Sequence, residues 1–142
     1  MNKKLFYFLS FTWGLPMTII GLIVGLVLII AGFKPKKYGY CLHFEIGDNW
    51  GGLEFGIVFL TNKTPPEHTK MHEHGHSIQN CYWGFLMPFV VCIPSMIRYW
   101  YRELKYRRKG LTPPTEYDSI WFEGDATKRG TEFIKSLGEQ TI

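Results

Sequence analysis

Three patterns of apolar and polar residues follow one another along this chain. The first is unbroken: Leu5 to Phe33 carry no charged side chain, about 29 residues where a bilayer span needs about 20. Lys3 and Lys4 precede this run, and Lys34, Lys36 and Lys37 follow it. A cleavable signal sequence has a shorter apolar core, about 7–15 residues, and ends at a small-x-small site. The stretch Ile29-Ile30-Ala31-Gly32-Phe33 lacks such a site. Residues 1–37 therefore read as an uncleaved transmembrane anchor with basic flanks. Pro16 marks a kink in it, or the boundary between a short leading segment and the span.

The second pattern has period two. In Tyr38-Gly39-Tyr40-Cys41-Leu42-His43-Phe44-Glu45-Ile46 the even positions are apolar and the odd ones small or polar, which predicts a half-buried strand. His43 falls on its polar face and is expected in solvent. Gly47 to Gly52 supply turn chemistry, and Leu53 to Leu60 read as a second strand with Leu53, Phe55, Ile57 and Phe59 on one face. A small antiparallel sheet follows.

The third pattern is helical. A loop from Asn62 to Glu67 carries Pro65-Pro66, His68 is a surface residue, and Thr69 is the expected N-cap of a helix over Lys70–Asn80. A second apolar stretch, Cys81 to Ile97, contains Pro88 and Pro94, too many for one straight helix. It predicts a Pro-broken hairpin, membrane-associated over 81–101, with a buried core helix as the alternative. A last helix is expected around Ile120–Gly130. The fold class is α+β: an N-terminal transmembrane helix followed by one small domain, 38–142, since 142 residues leave room for one.

The net charge of +4 comes largely from the anchor flanks and from Arg98, Arg102, Lys105, Arg107, Arg108 and Lys109. These are interleaved with Tyr99, Trp100, Tyr101 and Tyr106, an interfacial composition that suits the anionic cytoplasmic leaflet of a lipid bilayer. Nothing in it reads nucleic acid. Cys41, Cys81 and Cys92 are odd in number and form no C-x-x-C pair, so free thiols on the reducing side are expected. The predicted location is the bacterial cell membrane, with the functional side cytoplasmic.

Chemistry enters at His72-Glu73-His74-Gly75-His76, which contains His-Glu-x-x-His. On a helix, positions i and i+4 share a face, so His72 and His76 can offer two imidazoles to one zinc ion (Zn2+), with Glu73 beside them as a base for water. On a strand, His72, His74 and His76 would instead share a face; the flanking residues favour the helix, which turns His74 about 160° from the pair at roughly 100° per residue, into packing or onto the surface. Two histidines leave a catalytic zinc site one protein ligand short. Glu123 is the preferred third ligand, because Glu123, Ala126, Thr127 and Gly130 share one helical face whose small residues permit close approach; Asp118 and Asp125 are the other carboxylates in range. His-x-x-x-His also fits a membrane di-iron oxidase, but such sites gather more ligands than five histidines, two of them poorly placed, provide.

His-Glu-x-x-His followed, beyond a hydrophobic stretch, by Glu123-x-x-Ala126 resembles the gluzincin-type integral-membrane zinc metallopeptidases, such as the CAAX-prenyl endopeptidase group. More closely, HEHGHSIQ (His72 to Gln79) and Trp121 to Gly130 look like a group of small, uncharacterised bacterial membrane proteins with HExGHxxQ and Glu-x-x-Ala-x-x-x-Gly. The resemblance covers about half the chain and implies a minimal zincin-like domain. In that domain His72, His76 and Glu123 hold zinc, Glu73 is the catalytic base, and a peptide or protein is the substrate, added at the edge of the Leu53–Leu60 strand. A non-catalytic membrane metal-binding or interaction protein on the same frame is the other expectation. The larger peptidases carry Asp directly after the alanine; here it is Thr127, with Asp125 as a possible substitute. Tyr117 and Arg129 are candidates for stabilising an oxyanion.

Overall fold

The long apolar run breaks into two helices. In the computed structural model, which describes residues 1–140, α1 (Lys3–Ser10) and α2 (Leu15–Ile30) meet at a bend of 92°. Pro16 stands in the first turn of α2, where a missing N–H costs nothing, and the bend falls just before it. Among the described residues no single helix is long and apolar enough to cross a membrane; α1 with α2, and the motif helix with the segment after it, have that length only as bent pairs. The last two residues of the expected 38–142 unit lie outside the described residues.

Four strands form one mixed sheet: β1 (Lys36–Tyr38), β2 (Cys41–Glu45), β3 (Gly52–Phe55) and β4 (Val58–Thr61), in the order β1-β2-β4-β3. The outer pairings are antiparallel, but β2 and β4 run parallel, with Leu42 opposite Val58 and Glu45 opposite Thr61. The sheet is therefore not the antiparallel one expected. Alternation from Leu53 to Leu60 runs straight through a tight turn at Gly56, whose φ of +69° reverses the chain and inserts β4 between β2 and β3. A Cβ on Gly56 would sit 2.7 Å from the Thr18 backbone, so α2 closes directly over this turn.

Helices cover both faces of the sheet. On one, Gly25 of α2 lets Phe44 and Val58 approach the helix. The other faces the motif helix, α3 (Glu67–Trp83). For that reason His43 is buried, contrary to its expected place in solvent: its ring stacks on Phe59 at 4.6 Å and its Nε2 lies 2.7 Å from Thr61 Oγ1. The start of α3 also differs. Pro66 is the cap residue and its carbonyl accepts from the Thr69 and Lys70 N–H groups, which puts Thr69 inside the first turn.

Beyond α3 the chain runs on to Leu86, turns by 116° at Met87 and continues as a π-helical turn (Pro88–Cys92) and α4 (Ile93–Lys105). The break expected within 81–101 is thus one bend ahead of Pro88, and both prolines lie in first turns. The last helix, α5 (Trp121–Gln140), crosses α3 closely. A Cβ on Gly75 would lie 2.6 Å from the Ala126 carbonyl carbon, and one on Gly130 would lie 2.7 Å from that of Met71. His74 faces away from its two neighbours and stacks between Phe6 and Phe133, at 6.1 and 4.6 Å. Its role is packing.

Candidate metal centre

The spacing of the motif on α3 sets His72 and His76 one turn apart, and the small-residue face of α5 brings Glu123 up to them. The three donor atoms form a triangle: His72 Nε2 to His76 Nε2, His72 Nε2 to Glu123 Oε2, and His76 Nε2 to Glu123 Oε2 are each 3.1 Å. All three residues are buried, Glu123 completely. This is the one trio of His, Cys, Asp or Glu among the described residues that could hold a metal ion.

The outer nitrogens of both rings are engaged in a way that leaves the inner ones bare. Gln79 donates through Nε2 to the Phe122 carbonyl and to Asp125, each at 2.8 Å, which fixes its amide orientation. Its Oε1 must then accept from His76 Nδ1, at 2.8 Å. The Thr127 hydroxyl donates to Asp118 Oδ2 at 3.2 Å and accepts from His72 Nδ1 at 2.8 Å. Each Nδ1 donates outward, so each Nε2 is turned toward the carboxylate oxygen, where it can ligate a cation or, without one, carry a proton to Glu123. Two ring nitrogens and a carboxylate oxygen converging this closely could hold a metal ion. Ser95, on α4, donates to Glu123 Oε1 and leaves Oε2 for the centre.

Without a metal, a proton on His76 donated to Glu123 takes that place. In the metal-free chain burial alone would push His76 down, but the hydrogen bond to Glu123 and the fields of Glu73 and Glu123 outweigh it and hold the ring up at about 9. Burial raises the Glu123 carboxyl, yet its hydrogen bonds to His72, His76 and Ser95 win and hold it well below the usual range. Glu73 is raised by burial, opposed by His72 and His76 and reinforced by Glu123. A buried carboxyl next to a cation site, raised toward neutrality, is poised to exchange protons.

The sequence-predicted residues divide clearly. His72, His76 and Glu123 converge, with Glu73 within reach of their charges and set against the edge strand, where a Cβ on Gly52 would lie 2.6 Å from Glu73 Cδ. Asp118 and Asp125 are not donors to the centre but stand one bond behind Thr127 and Gln79. Arg129 pairs with Asp125 at 2.7 Å and lies over Tyr82, away from the centre. Tyr117 is nearer, its ring 6.2 Å from that of His72 and its hydroxyl 3.4 Å from Ser95 Oγ. Ser95 and the buried Glu54 escape sequence reasoning. A serine after a proline carries no signal, and alternation places Glu54 on a wet face that the fold covers. No family model, no curated protein and no solved structure matches this chain.

Proposed function

We propose that this protein is a zinc-dependent metallopeptidase seated on a membrane, with His72, His76 and Glu123 as the metal ligands and Glu73 as the base. The triangle of bare donors carries the reading. Its 3.1 Å sides are close to the roughly 3.3 Å expected between two donors about 2.05 Å from a tetrahedral zinc, and a two-His, one-Glu set leaves a position open. Zinc held there supplies Lewis acidity, polarising a carbonyl and acidifying a water molecule. Glu73 takes the proton of the attacking water and returns it to the leaving amine. Ser95, Thr127 and Gln79 orient the ligands and keep Nε2 and Oε2 free. Exposed apolar side chains along α2 and the α4 segment, Ile30 at 77% and Phe89 at 68% among them, together with the basic run from Arg98 to Lys109, support seating in a bacterial cell membrane with the site on the cytoplasmic side.

One observation favours the non-catalytic alternative: all three ligands are buried, Glu123 fully. Metal content and turnover decide between the readings. The detergent-purified parent should hold about one zinc per chain, as one three-donor site requires; His76→Ala and Glu123→Ala should lose it, and Glu73→Gln should keep it while losing hydrolysis of a peptide pool. A folded parent without metal overturns the metallopeptidase reading. A zinc-loaded parent whose peptide turnover is zero leaves a metal-binding membrane protein, and turnover unchanged by Glu73→Gln overturns the role of Glu73.

A further inference from the structure

Glu54 is the one buried carboxylate that the centre leaves unused. It lies on β3 at 6% exposure, and neither of its oxygens has a hydrogen-bond partner. The Gly56 backbone N–H bears on it without making a bond of normal geometry. None of the ion pairs among the described residues includes it. An uncompensated buried carboxylate is costly, by several kcal/mol in proteins, and such a group persists where something else supplies its partner. Burial pushes this carboxyl up to about 8, with His76 opposing and Glu73 reinforcing the shift, so Glu54 lies within reach of both residues' charges.

Its position defines the partner. Gly52 and Glu54 are two apart on one strand and face the same way, toward α3, and Gly52 abuts Glu73. β3 is the last strand of the sheet, with no strand on its outer side among the described residues. A peptide pairing there would run about 4.8 Å from β3. With its reacting carbonyl at the level of Gly52 and Glu73, the nitrogen of the same residue lies about 2.5 Å further along, toward Glu54. Past Glu54 the strand is closed. Phe55 packs against the cluster of Met17, Met87, Val91 and Phe122, and Gly56 is pressed onto Thr18. That leaves no path for residues preceding the one being cut. A second metal ion would need several donors, and no trio that includes Glu54 forms among the described residues. An ammonium group needs only one carboxylate.

We infer that Glu54 receives the free α-ammonium of a peptide, so that the enzyme is an aminopeptidase removing one residue at a time. This rests on the metallopeptidase reading above. Each cycle consumes one water, breaks the first peptide bond, and releases an amino acid and a shortened peptide with a new free amine.

The test uses the full chain in detergent, parent and Glu54→Gln, with leucine hydroxamate and N-acetyl-leucine hydroxamate as probes in calorimetric titration, beside zinc content. The parent should bind the free-amine probe at least about tenfold more tightly, in line with a charge-assisted hydrogen bond. Glu54→Gln should lose that preference while keeping its zinc, which also reports that it folds. Equal binding of both probes by the parent, a preference that survives Glu54→Gln, or loss of zinc from Glu54→Gln each overturns the inference. A zinc-loaded parent that cuts acetylated peptides internally overturns it while leaving the metallopeptidase reading intact. A parent that holds no zinc and binds neither probe removes both.

Discussion

Replacing Gly75 by Ala tests whether the α3–α5 crossing builds the centre. In an isolated helix this change stabilises by about 1 kcal/mol. Here the added Cβ would lie 2.6 Å from the Ala126 carbonyl carbon, against ordinary carbon–carbon contacts of about 3.5–4 Å. The obstacle is backbone, not a side chain that can swing aside, so the helices must part by roughly 1 Å, an overpacking cost near the upper end of about 1–3 kcal/mol. The net expectation is a loss of about 1–2 kcal/mol. Glu123 is three residues, just under one turn, from Ala126 on the same helix, so parting opens a triangle only 3.1 Å on a side, and metal affinity should fall about tenfold or more. Gly130→Ala should behave alike, its Cβ 2.7 Å from the Met71 carbonyl carbon, and the double variant should cost less than the sum, because one separation relieves both. Gly138→Ala, with open space around it, should gain stability. Urea unfolding of the metal-free chains and chelator competition on the loaded ones read the two effects. A Gly75→Ala protein as stable as the parent, with unchanged metal affinity, would refute the reasoning.

Two further outcomes follow from the same geometry. Burial pushes His74 down to about 4, so on acidification the unfolded chain takes up that proton first; its contribution is complete above the ordinary value of about 6.5 and is lost as pH falls toward 4, amounting to about 3 kcal/mol. Proton NMR of the His74 ring in the folded protein checks this, and titration near 6.5 counts against it. Thr127→Val and Gln79→Leu should each weaken zinc binding by about 10–100-fold while leaving the fold intact, read by chelator competition; unchanged affinity in both would mean the rings need no outer support.

What the sequence conveyed depended on how local the physics was. The i, i+4 spacing of His72 and His76 and the small-residue stripe through Ala126 and Gly130 are local properties of single helices, and both are found as read. The strands were legible as apolar alternation but not as topology. The same alternation continues through the Gly56 turn, so the inserted, parallel β4 leaves no trace in the pattern. His43 was misread because alternation separates two faces but does not say that α2 and α3 cover both, and the same covering buries Glu54. Ser95 was invisible because only the 116° bend after α3 returns α4 to Glu123.

Thr127 holds the His72 ring together with its neighbour Asp118. An Asp following Ala126 would accept directly from His72 Nδ1, but that position already lies 3.2 Å from the Asp118 carboxylate. Two carboxylates there would repel or share a proton, at a cost that a neutral hydroxyl avoids. Thr127 accepts from the ring and donates to Asp118, so the pair does jointly what one Asp would do alone. His76 is held by the same device, with the Gln79 amide between the ring and Asp125, and Asp125 is in turn neutralised by Arg129. In both cases a neutral group touches the imidazole and the negative charge stands behind it. The rings are therefore oriented without being drawn toward imidazolate, and a metal held by them stays a stronger Lewis acid than direct carboxylate contact would allow. The two matching relays, one from α3 and one from α5, are the reason to count Thr127 as a supporting residue of the centre.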